Sequence, residues 1–200
     1  MVSDRFAELT KVPRQPAARL LALANATLKT PLDAPASAPV EVVLAELDTK
    51  GALIDMLRLL SVALPPRERV WWACLAARDT LPEGAPPPPP LTAAEAWVFK
   101  PSDENREAAI ASVDLAAADD ETVHCATAVQ FADGTLGVGD LAEHQGPPGA
   151  CETLAFAMNV VALGNRAEDF EAYGAHLVDR ALDVARGGSG RIEMKTKETT

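Results

Sequence analysis

Aromatic side chains are scarce in this chain: Phe, Trp and Tyr together supply 4% of its 200 residues. Leu, Val and the abundant Ala must therefore do most of the packing. Ala has the best intrinsic helix propensity, and small side chains let helices approach closely. Val, Ile, Thr, Tyr and Phe nowhere alternate long enough to suggest a sheet. The expected fold is all-α, a multi-helix array or bundle of about eight to nine helices.

Cysteine is equally sparse. Cys74, Cys125 and Cys151 are odd in number, widely spaced and free of any CxxC pattern, so they read as reduced, buried thiols of a cytoplasmic protein. No apolar run approaches the roughly 20 residues that a membrane helix requires, and Asp4, Arg5 and Glu8 do not resemble an export signal. Basic residues are outnumbered, 18 against 29 acidic, for a formal charge of −11. That balance argues against a nucleic acid as partner, because phosphate binding needs a concentrated basic surface. A protein partner remains the expectation, and membrane insertion is not indicated.

The densest helix signal is Pro65-Pro66-Arg67-Glu68-Arg69-Val70-Trp71-Trp72-Ala73-Cys74 and onward to Asp79. Proline suits a first turn, where its missing N–H costs nothing, and Glu68 faces the positive end of the macrodipole. Val70, Trp71, Cys74, Leu75 and Arg78 share one face, which assigns Trp71 to the core. Trp72 lies about 100° around the axis and is expected to meet another helix or the surface.

Around this element the chain divides as follows. Residues 1–14 read as a polar leader and 15–82 as a helical first half, with helices near Leu20–Leu28, Pro39–Leu47 and Leu53–Leu64. Residues 83–91, with five prolines from Pro86 to Pro90, read as a polyproline II linker. Residues 92–187 form a helical second half. It opens on a capping box from Thr92 to Glu95, restarts at a Ser102 cap, and ends with a helix capped by Asn165 and Glu168. Residues 188–200 read as a disordered tail.

No pattern of catalytic chemistry emerges. Asp119-Asp120-Glu121 lacks the alternating oxygen ligands of a calcium loop and reads as the opening of a helix. Asp133 to Asp140 places its glycines in the wrong order for a dinucleotide turn and reads as a flexible loop. His124 and Cys125 are adjacent, so on a helix they diverge, and His176 reads as part of a solvated helix face. No cofactor, metal ligand or catalytic residue is assigned. Trp72 and Trp97 are the candidates for protein contact, because aromatic side chains often dominate interface energies.

Three segments together carry a family likeness: Val70-Trp71-Trp72-Ala73-Cys74, the pair Ala94-Glu95-Ala96-Trp97-Val98 with Pro101-Ser102-Asp103-Glu104-Asn105-Arg106, and Leu182-Asp183-Val184-Ala185-Arg186-Gly187. Over roughly residues 15–187 the chain resembles the DUF6931-type bacterial proteins, a family of unknown function. Asp133-Gly134-Thr135 departs from the Gly-Gly-Ser form expected of that family's loop. The resemblance implies a helical protein sometimes encoded near type VI secretion components, and it brings no catalytic residues. The leading expectation is a non-enzymatic adaptor or accessory protein. The alternatives are an acidic immunity protein that neutralises a basic toxin, and an enzyme with an unrecognised Cys/His site.

Overall fold

Proline and glycine punctuation divides the chain into its helices. The computed structural model describes residues 4–194. Among these residues nine α-helices follow in order: α1 (Ala17–Leu23), α2 (Val40–Thr49), α3 (Leu53–Ala63), α4 (Pro66–Asp79), α5 (Pro89–Phe99), α6 (Asp103–Val113), α7 (Val123–Gln130), α8 (Ala150–Gly164) and α9 (Phe170–Ala185). The described residues contain no strand, and two isolated bridges, Pro16 with Pro39 and Thr135 with Gln145, are the extent of the β pairing among them. The fold is all-α, as the composition requires.

Local chemistry explains the boundaries. Pro39 precedes α2, whose buried Val40, Val43, Leu44 and Leu47 keep offsets of three, four and seven. Gly51, at φ 64°, closes that helix: Gly51 N–H donates to Asp48 and Ala52 N–H to Leu47, the paired bonds of a Schellman stop. The Ser102 hydroxyl accepts the Asn105 N–H at 3.2 Å and caps α6. Helix α3 is buried on nearly every side and packs against α1, α2, α8 and α9.

Two apolar cores meet at α4. Trp72 and Ala76 project into a core shared with α2, α3 and α9, whereas Val70, Ala73, Cys74 and Ala77 project into one shared with α5, α7 and α8. The alanines permit this double contact because they hold neighbouring helices close. Arg69 secures the wall: it donates to the carbonyls of Ser61 and Val62 at the end of α3 and pairs with Glu152 of α8 at 2.8 Å.

Several expectations are corrected. With α4 covered on two sides, the core assignment of Trp71 is overturned: Trp71 is the one residue between Val70 and Ala77 that is not buried, whereas Trp72 is 0% exposed and meets another helix, α9. Of the supposed leader, Phe6, Leu9 and Val12 enter the first core, and Arg5 pairs with Asp48 and Asp179 at 2.6 and 2.9 Å. Pro89 and Pro90, read as linker, form the first turn of α5, where proline is tolerated. Thr92 therefore lies inside the helix, its hydroxyl donating to Pro87, and Glu95 pairs with Arg78 of α4 rather than completing a capping box.

The start of α9 also differs. A 3-10 turn from Ala167 to Asp169 precedes it, with no side-chain cap from Asn165 or Glu168. Of the supposed disordered tail, 188–194 are ordered against α4 and α9, while 195–200 lie outside the described residues.

Candidate protein-contact surface

The two tryptophans singled out for contact both point inward. Trp72 donates its indole N–H to the Leu177 carbonyl of α9 at 3.0 Å, and Trp97 is 9% exposed within the second core. The aromatic surface lies beside them. Phe99, the last residue of α5, is 65% exposed, and its ring lies 5.7 Å from that of Trp71 at an interplanar angle of 58°.

These rings border a groove of about 400 Å³ between the start of α4, the end of α5 and the segment that follows α9. Three further side chains define its character. Arg67 donates through Nε to the Val98 carbonyl at 2.6 Å, Lys11 pairs with Glu68 at 3.1 Å, and the Arg191 guanidinium lies 5.2 Å from the Trp71 ring centroid. Trp71 donates its N–H to Ser189 at 2.7 Å, and Gly190 N–H donates to Asp183 at 2.8 Å, so the segment is fixed as one wall. Sequence reasoning missed this site because its residues come from parts of the chain far apart. The one local hint was Phe99, a bulky aromatic just before the helix stop Lys100-Pro101.

The groups considered for chemistry are placed as follows. Cys125 is fully buried and accompanied by the thiol of Cys74, which burial pushes well above the usual thiol range, with the Cys125 contact adding to the effect. Cys151 is also raised by burial, partly offset by Arg69. His124 faces Glu121, in the turn just before α7, at 3.3 Å, and His144 is exposed. His176 is buried rather than solvated, because α9 is covered on more than one side; burial, followed by the nearby Arg180, lowers its pKa. Beside it, Asp79 accepts from Tyr173 at 2.8 Å and pairs with Arg180, which links α4 to α9. Burial pushes the Tyr173 phenol upward, and Asp79 pushes in the same direction.

The acidic run does open α7 through a turn, with Asp120 accepting from both the N–H and the hydroxyl of Thr122 at 2.9 and 2.6 Å. The glycine-containing loop is held rather than free: buried Arg106 donates to the Gln130 carbonyl at 3.0 Å and to the Thr135 hydroxyl at 2.9 Å and pairs with Asp133. No group of three His, Cys, Asp or Glu side chains able to hold a metal converges among the described residues. Among the same residues no helix is long and apolar enough to cross a membrane.

Fold and surface together define an all-α, multi-helix protein with an aromatic groove fringed by cations. A family model described as a family of unknown function (DUF6931) matches residues 43–185, spanning α3 to α9 and the groove's two aromatic residues. The chain belongs to that family. Comparisons with curated proteins and with solved structures gave no match.

Proposed function

We propose that this protein is a non-enzymatic helical adaptor or accessory protein that holds a protein partner at the Trp71–Phe99 groove. The observation that carries the reading is Phe99, a large apolar side chain 65% exposed beside a second aromatic ring. Exposed aromatics in a concave, partly polar setting are typical anchors of protein contacts. The unpaired state of all three cysteines supports a reducing, cytoplasmic setting. The link to type VI secretion rests on the sequence resemblance.

A second reading, an immunity protein covering a basic toxin, draws on the formal charge of −11. It would use the acidic surface away from the groove. An enzyme built on Cys125 has less support, since that thiol is enclosed. The deciding experiment is affinity purification of the tagged protein from its host, wild type beside Phe99→Ser, through a salt series. Secretion components retained by the wild type and lost with Phe99→Ser support the adaptor. One basic partner, released by salt and indifferent to Phe99, supports immunity.

A further inference from the structure

Resting on the adaptor reading above, we infer that the groove takes an extended acidic segment of a partner protein, with one apolar side chain seated on Phe99 and flanking carboxylates beside Arg67, Lys11 and Arg191. The first support is charge. In a protein of net charge −11, this groove gathers three cations against one carboxylate; Lys11 and Glu68 pair with each other, which leaves Arg67 and Arg191 as its excess positive charge. Such a local reversal of sign favours an acidic ligand and repels a basic one.

The second support is the state of each side chain. The Trp71 N–H is satisfied by Ser189 and its ring is accompanied by Arg191, so Trp71 forms a fixed wall. Phe99 carries the exposed apolar surface. Arg67 is anchored through Nε alone in the described contacts, which leaves its two terminal nitrogens as a fork suited to a carboxylate. An anchored guanidinium loses less freedom on binding than a free one.

Other occupants fit less well. A nucleotide or single strand needs free aromatic faces for its bases and a broad basic track for its phosphates, and the net charge opposes the latter. Residues 187–191 already form the wall and Met194 packs against the first core, so that stretch is not the occupant.

The test has two arms. In the host, a benzophenone amino acid replaces Phe99, and the crosslinked peptide is sequenced by mass spectrometry. In vitro, fluorescence anisotropy compares a labelled peptide carrying one phenylalanine between pairs of glutamates with its lysine counterpart. The expected result is a crosslinked segment with Asp or Glu next to an apolar residue, and at least about tenfold tighter binding of the acidic peptide. Arg67→Glu and Arg191→Glu should each weaken that binding by about tenfold, with unchanged circular dichroism because both side chains are exposed. Crosslinks to neutral or basic segments, an acidic peptide that binds no tighter than the basic one, or displacement of the peptide by ADP or oligo(dT) would overturn the inference and leave the adaptor reading standing. No crosslink from position 99, with partner recovery indifferent to Phe99→Ser, would overturn both.

Discussion

Trp72 donates its indole N–H to the carbonyl oxygen of Leu177, 105 positions along the chain, at 3.0 Å. Its neighbour Trp71 makes the equivalent bond to Ser189 at 2.7 Å, on the outside of the same helix. Two adjacent, chemically identical side chains therefore close two different contacts. Trp72→Ala should cost about 3–5 kcal/mol, the usual range for emptying a buried tryptophan site. Trp71→Ala should cost about 1 kcal/mol, near the net worth of one hydrogen bond. Urea titrations of the two variants check the order, and a costlier Trp71→Ala would refute the placement.

Burial makes a second prediction for the thiols. Cys74, Cys125 and Cys151 are all enclosed, and burial raises the pKa of Cys74 and of Cys151, which suppresses the reactive thiolate. Labelling of the native protein with a thiol reagent should be slower than labelling in denaturant by about a thousandfold or more, as opening of a stably folded domain requires. A cysteine that reacts rapidly in the native state would revive the enzyme reading.

The positions of α2, α3 and α4 were legible in the sequence; which side chains a helix buries was legible only where it keeps one wet face. Val40, Val43, Leu44 and Leu47 announce α2 because their stripe is narrow and bounded by Pro39 and Gly51. Helix α4 offers no such contrast. Seven of its residues between Val70 and Ala77 are buried, so a single-stripe rule selects the wrong tryptophan. The same failure placed His176 in solvent. Pro89 and Pro90 misled for a different reason: proline ends a helix from inside but begins one comfortably, and five in a row do not say which will begin it. Arg106 and the groove were hidden because their partners lie far away in sequence, where spacing rules have no reach.

The burial of His176 has a consequence for pH. Its folded-state pKa lies below the ordinary value of 6.5, because burial and then Arg180 disfavour the charged ring more than Asp79 and Asp179 favour it. Between the folded and unfolded values the unfolded chain binds the extra proton, so stability falls as pH drops from about 6.5. Asp55 and Asp133 add a separate loss at lower pH. Burial alone would raise both, but hydrogen bonds from Thr30 and Lys29 to Asp55, and from Thr135 and Arg106 to Asp133, bring them below 3.8. Denaturant midpoints measured from pH 7.5 to 3 should show both declines. His176→Gln should flatten the upper one and leave the lower unchanged.

Two glycines bound the same helix and should respond in opposite ways to alanine. Gly149, at φ 75°, precedes α8, and a Cβ there would stand 1.9 Å from the Ala24 carbonyl oxygen just after α1. A left-handed conformation costs a residue with a Cβ about 1–2 kcal/mol, and overpacking against backbone adds about 1–3 more. Gly164, at the far end of α8, has negative φ, and a Cβ there would meet nothing within 4 Å. Alanine there should stabilise by about 0.4–1 kcal/mol, by restricting the unfolded chain. For a domain of this size each kcal/mol moves Tm by about 2–4 °C, so thermal melts resolve both signs. If Gly149→Ala proved as mild as Gly164→Ala, the backbone at Ala24, just after α1, could not lie against the start of α8.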